Sequence, residues 1–189
     1  MLRFAMSTRV AQLELGSVVL VTGIPAAGKS TVAQLLAERL PRSVHVRGDL
    51  FRRLIVNGGL DMLPDRHADA VAQLQLRYRL AATAVDLYAE AGFVVVYQDV
   101  IMEADLGAQV DRIRSRPMFV IGLLPSRESV AQRESLREKE AYDPWTVAEL
   151  DDALRTRTPR IGLWLDTSAQ TPDQTVDEIL ARAAEAVVA

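Results

Sequence analysis

Cysteine is absent from these 189 residues. That removes disulfides and thiolate metal sites and fits a reducing compartment. Lysine is nearly absent too: of 22 cationic side chains, only Lys29 and Lys139 are lysine. Where arginine serves almost everywhere else, a lysine at position 29 suggests chemistry that needs a compact ammonium rather than a planar fork. Long apolar runs are missing; stretches such as Phe93 to Val96 are far too short to span a membrane. Met1 to Ser17 hold two arginines and no apolar centre, so they do not read as a signal peptide. The expectation is a cytoplasmic protein with a leader over 1–17, in which Met6 could also serve as a start. A basic excess is lacking as well. The net charge of −3 provides no global field for nucleic acid, which argues against that class of partner.

What is present is enough apolar residue, 49%, to build a core rather than a disordered chain. The length fits one domain, expected over 18–189, as a monomer or homodimer. There is no internal repeat, low-complexity tract or linker. Five β-rich apolar runs alternate with helical patterns: Val18–Thr22, Ser43–Arg47, Phe93–Gln98, Met118–Leu124 and Ile161–Asp166. Alternation of this kind predicts a parallel α/β sheet, and continuous apolar runs are expected of strands covered on both faces. Helices are predicted from Lys29 to Leu40, from Asp49 (as cap) toward Gly58-Gly59, and from about His67 to Ala91. The last of these has core positions Val71, Leu74, Tyr78, Ala81, Val85 and Tyr88. Further helices follow over Glu103–Ser115, after Thr146 with its Glu149, and after Thr171-Pro172 with its Gln174. The last two carry capping-box spacing.

The most specific signal is Gly23-Ile-Pro-Ala-Ala-Gly28-Lys29-Ser30-Thr31, a complete G-x-x-x-x-G-K-[ST] between a strand and an amphipathic helix. Such a loop turns successive backbone N–H groups of residues such as Ala26 and Ala27 toward phosphate oxygens, and the helix start adds its dipole. Lys29 can reach the β- and γ-phosphates of ATP. The Ser30 hydroxyl can ligate Mg²⁺, and Thr31 can serve the α-phosphate.

Two acids stand at the carboxyl ends of strands, where open α/β sheets bind ligands. Asp49 follows the second strand and is the candidate to orient and deprotonate an acceptor hydroxyl; the plain alternative is a helix cap. Asp99 closes the third strand and could hold Mg²⁺ through water, bind the acceptor, or simply end the strand. Asp166 is read as fixing the loop after it. Phe51, Arg52 and Arg53 are placed to meet a small-molecule acceptor, although Phe51 could equally be core. The loop from Asn57 to Arg66 carries Leu60, Met62 and Leu63, suggesting a lid or pocket wall. Arg133 and Arg137 share a helix face within a lid expected over about 126–140, where they could neutralise charge on transferring phosphate. A solvated, salt-bridged helix is the alternative. Arg127 is a weaker member of that set. Arg155, Arg157 and Arg160 form a second cluster that could touch the nucleotide or face solvent. His45 and His67 lack metal-ligand spacing.

Taken in order, this series resembles the small P-loop kinases of the nucleoside-monophosphate-kinase-like fold. It comprises Gly23–Thr31, Gly48-Asp49 after the second strand, Asp99 after the third, arginines after the fourth and Leu165-Asp166-Thr167-Ser168 at the fifth. Within that group it is most similar to chloramphenicol phosphotransferase-like proteins and to gluconate- and adenylylsulfate-kinase types, from about Val18 onward. The resemblance implies a five-stranded parallel sheet in the order 2-3-1-4-5, helices on both faces and a small helical lid. It also implies Asp49 as catalytic base and Arg133 and Arg137 as lid arginines. It does not identify the acceptor, expected to be an antibiotic, nucleoside or sugar-acid type. Three rivals share the cradle: a GTPase, disfavoured because no N-K-x-D occurs; a polynucleotide 5′-hydroxyl kinase; and a non-catalytic ATP-binding module.

Overall fold

A computed structural model describes residues 13–135 and 145–188. The central strand is β1 (Val18–Thr22), flanked by β3 (Val94–Gln98) on one side and β4 (Met118–Leu123) on the other. β2 (Ser43–Arg47) pairs with β3, and β5 (Leu163–Leu165) pairs with β4. All four pairings are parallel, giving the order β2-β3-β1-β4-β5. Every residue of β1, β3 and β4 is buried, the physical meaning of their unbroken apolar runs.

Because strand side chains alternate between faces, β1 serves two cores. Val19 and Val21 pack with Val32, Ala33 and Leu36 of α1 (Lys29–Glu38) and with Val176 and Ile179 of α7 (Pro172–Ala181). Val18 and Leu20 pack on the opposite face with Tyr78, Ala81 and Val85 of α3 (Ala68–Glu90) and with Leu106 and Val110 of α4 (Ala104–Arg112). The remaining elements are α2 (Gly48–Arg53), α5 (Arg127–Ser135), α6 (Val147–Asp152) running into a π-helical segment at Ala153–Arg157, and α8 (Ala183–Ala186). Both capping boxes, Thr146 with Glu149 and Thr171 with Gln174, form as their spacing predicts.

Four expectations are corrected. The sheet has a sixth strand, β6 (Val187–Val188), antiparallel to the start of β4. A two-residue strand has no period to read. β5 is shorter than its apolar run, which begins at Ile161 with the chain still in the turn made by Gly162 at φ 72°. α2 begins at Gly48 with Arg47 as cap, so Asp49 sits inside the first turn and does not cap it; the helix stops at Arg53, short of the glycines. The buried face of α3 keeps the expected Tyr78, Ala81 and Val85 but extends over Ala70, Ala82, Asp86 and Ala89; Val71 and Leu74 are half-buried and Tyr88 is 44% exposed. Alanines let the helix lie close on the sheet. Asp86 earns its burial by accepting the N–H groups of Arg114 at 3.1 Å and Ser115 at 2.9 Å, which locks the turn entering β4.

Candidate active site

β1 ends at the loop that precedes α1, and the sheet places this loop among the carboxyl ends of β2, β3 and β4. Gly28 has φ 97°, in the region that favours glycine, and its carbonyl already accepts the N–H of Val32 at 3.0 Å. Ala26 also holds a positive φ of 58°, so the loop curls back on itself as a phosphate cradle must. Lys29 is 8% exposed, and its Nζ donates to the Ile24 carbonyl at 2.8 Å across the loop. The ammonium is thereby held inside the curl. Ser30 and Thr31 lie exposed at the start of α1.

One cleft of about 530 Å³ joins this loop to the acids. Ala26, Gly28, Lys29, Ser30 and Thr31 line one side, and Asp49, Arg77, Gln98 and Asp99 line the other. Asp49 accepts from Arg53 Nη2 at 2.5 Å through Oδ2, while Arg47 Nε stands 3.9 Å from Oδ1. Asp99 is 2% exposed and is gripped more firmly. Arg77 of α3 donates Nε to Oδ2 at 2.8 Å and closes a second contact from Nη2 to Oδ1; the Val100 N–H donates to Oδ1 at 2.7 Å. Burial lowers the Arg77 guanidinium below its ordinary value. Both carboxylate oxygens of Asp99 are thus engaged. Gly48 completes the fit, since a Cβ there would overlap the Asp99 carboxylate.

Arg133 of α5 reaches the cradle from the opposite side. Its Nη1 donates to the Ala27 carbonyl at 3.2 Å and its Nη2 to the Thr167 carbonyl at 2.8 Å. It therefore borders the cleft between the phosphate loop and the loop after β5. Arg137 lies outside the described residues, as do the rest of the expected lid beyond residue 135 and residues 1–12 of the expected leader. Arg127 is turned away from the cleft: with Arg155 it clamps the buried Asp151, at 2.6 and 2.7 Å. Arg157 bonds Glu103 and Asp152, and Arg160 stacks over Trp164 at 4.5 Å. The second arginine cluster is thus committed to structural partners. Asp166 accepts the Ser168 N–H at 2.9 Å and so fixes the loop that follows it. His67 caps α3, and His45 meets Gln34 on α1.

Phe51 and Arg52 do not line the cleft at the phosphate loop. They line a second, smaller hollow between α2, α3 and the 55–62 stretch, of about 70 Å³, which shares Arg77 with the main cleft. Arg52 pairs with Asp61 and Arg53 with Asp49. Sequence reasoning missed Arg77 altogether. Its one signal was position: an arginine immediately before the inward-facing Tyr78, on a helix packed over the strand that ends in Asp99.

Among known proteins, the AAA domain family matches residues 18–160 of this chain. A UPF0200 protein of Aeropyrum pernix is 34% identical over 142 residues, covering 72% of this chain and 73% of that protein. A cytidylate kinase of Pyrobaculum neutrophilum is 31% identical over 126 residues, covering 67% of this chain and 63% of that one. In three dimensions an unliganded sugar kinase of Janibacter sp. superposes with a TM-score of 0.66 at 20% identity, over 90% of this chain and 95% of that one. At that identity the likeness speaks for the fold, which is the P-loop kinase fold. With its phosphate loop, its sheet order and a match spanning most of its length, this chain belongs to the AAA domain family.

Proposed function

We propose that this protein is an ATP-dependent kinase that transfers the γ-phosphoryl group to a hydroxyl of a small molecule. The observation that carries the reading is that Asp49 shares one cleft with the phosphate loop and Arg133. A nucleotide cradle alone would serve a binding module; an acid across from it supplies what phosphoryl transfer to an alcohol needs.

In this reading the loop N–H groups and Lys29 hold the polyphosphate, and Lys29 exchanges its Ile24 carbonyl for phosphate oxygens. The acceptor oxygen attacks the γ-phosphorus, the bond to the β-bridging oxygen breaks, ADP departs, and the hydroxyl proton passes to Asp49. Oδ1 of Asp49, beyond hydrogen-bond distance from Arg47, is the oxygen for that proton. Arg133 neutralises charge as it develops on the transferring group. Mg²⁺ fits the oxygen donors at hand: Ser30 would ligate it directly, and Asp99, with both oxygens engaged by Arg77 and Val100, would reach it through water. The ion would supply charge neutralisation between the β- and γ-phosphates.

A nucleoside monophosphate as acceptor is the second reading, favoured by the cytidylate kinase among the relatives and by Arg77 on the far wall of the cleft. ADP release from Mg-ATP, measured with hydroxyl-bearing antibiotics, nucleosides, sugar acids, CMP and a 5′-hydroxyl oligonucleotide, separates the readings. Acceleration by a small alcohol supports the first, and by CMP alone the second. Acceleration by the oligonucleotide alone makes it a polynucleotide kinase. Tight ATP binding with no acceleration by any of them points to a non-catalytic module.

A further inference from the structure

Gln98 closes β3 and is 4% exposed. In register it stands between Val21 of β1 and Arg47 of β2. Side chains alternate along a strand. Tyr97 and Asp99 take the face of α3, where Arg77 holds Asp99 and the Tyr97 hydroxyl lies 3.5 Å from its carboxylate. Gln98 follows Val96 onto the opposite face, the one that α1 covers. There it lines the main cleft together with Gly28, Lys29 and Ser30.

Among the described residues the Gln98 carboxamide has no hydrogen-bond partner. The unpartnered side-chain atoms that are fully enclosed are His45 Nε2 and Thr167 Oγ1, so the carboxamide of Gln98 opens into the cleft. An amide buried without partners costs free energy in the empty protein, which points to a ligand that supplies them. The other polar groups of that wall are committed. Asp49 accepts from Arg53, and Arg77 and Asp99 satisfy each other. Gln98 offers two N–H donors and carries no charge to repel a phosphate. The sheet order β2-β3-β1 sets the end of β3 between the loop after β1, which cradles the phosphates, and Asp49, which follows β2. A row of phosphates that starts in the loop and turns its last member toward Asp49 brings that member over Gln98.

We infer that Gln98 donates its Nε2–H to an oxygen of the γ-phosphoryl group, so that the cleft binds a nucleoside triphosphate in preference to the diphosphate. This rests on the nucleotide reading of the loop and on the direction toward Asp49, and not on which acceptor takes the phosphoryl group. Once that group has left, the amide loses its partner while Lys29 and the loop N–H groups keep theirs. The diphosphate is then held less firmly than the triphosphate.

The experiment is calorimetric titration of the full chain in Mg²⁺ with a non-hydrolysable ATP analogue and, separately, with ADP. Parent, Gln98→Met and Gln98→Glu are compared. Gln98→Met keeps the bulk and removes the donors; it should weaken the analogue by about tenfold or more while ADP stays within about threefold of the parent. Gln98→Glu sets a negative charge against the phosphate and should weaken the analogue at least as far. Without nucleotide, the melting temperature of Gln98→Met should equal or exceed that of the parent, because an unpaired buried amide has gone. Equal losses for both nucleotides, or no loss for the analogue, overturn the inference. So does a clear fall in the melting temperature of empty Gln98→Met, which would give the amide a partner within the chain. Absence of turnover with every acceptor removes the transfer reading and leaves these affinities to decide the role of Gln98. A parent that binds neither nucleotide overturns both.

Discussion

Lys29, Asp49 and Gly48 act through single atoms. Lys29→Ala removes the ammonium that Ile24 holds inside the loop, and ATP affinity is expected to collapse, as isothermal titration would show. Asp49→Asn keeps the shape of the side chain and removes the carboxylate proposed above to take the acceptor proton. Turnover should fall by about 10²–10⁴-fold while ATP affinity stays within a few-fold of the parent; equal losses in both would mean that Asp49 serves nucleotide binding. Gly48 is a subtler case. Its lack of a side chain lets the Asp99 carboxylate lie against the start of α2, so Gly48→Ala should lower the melting temperature and displace Asp99 together. Nothing in the order Arg47-Gly48-Asp49 announces this, because the atom that forbids a Cβ is carried on another strand.

Among the elements, the link between α3 and β3 matters most. Arg77 and Asp99 are 22 positions apart in the chain and are brought together by α3 packing over the β2–β3 side of the sheet. Arg77→Ala leaves a buried carboxylate without its cation, and the expected loss is about 3–5 kcal/mol in chemical denaturation. Arg77→Met with Asp99→Leu should recover much of that stability and none of the activity. A single variant that loses under about 1 kcal/mol would show the pair to be weakly coupled to the fold. The elements themselves were largely legible. A continuous apolar run located β1 to the residue, the alternating Ser43–Arg47 stretch located β2 as closely, and the two capping boxes opened α6 and α7 where their spacing placed them. The buried face of α3 was read only in part: Tyr78, Ala81 and Val85 are buried as expected, but alanine at 70, 82 and 89 contributes little to an apolar periodicity yet decides how closely a helix can approach a sheet.

Across the whole molecule, stability should weaken in mild acid. His45 on β2 is half-buried, with Nδ1 2.8 Å from Gln34 Oε1 and Nε2 buried without a partner. Burial lowers its affinity for a proton below the ordinary value of 6.5, helped by Arg47 and opposed by Asp49. The folded value lies below the unfolded one, so the stabilisation is complete above about 6.5 and is lost as pH falls through the folded value. Glu103, lowered by its bonds to Arg66 and Arg157, adds a loss of the same sign at lower pH, below the ordinary carboxylate range. Melting temperature should therefore fall between about pH 7 and pH 5, and His45→Leu should flatten that part of the profile. An unchanged profile in the variant would clear His45 of the effect.

The sequence alone determined the parallel α/β architecture, the phosphate loop with Lys29 at its centre, and the placing of Asp49 and Asp99 at strand ends. These follow from features written in neighbouring residues: the length of apolar runs, the glycines a curled loop requires, and the rule that parallel strands present their carboxyl ends together. Only the tertiary structure decided which charges meet. It put Arg133 on the phosphate loop 106 positions away, turned Arg127 and Arg155 onto the buried Asp151, and gave Asp99 to Arg77. A cation finds its acid through sheet order and helix packing, and desolvation makes the choice binding; neither quantity is carried by any local stretch of chain.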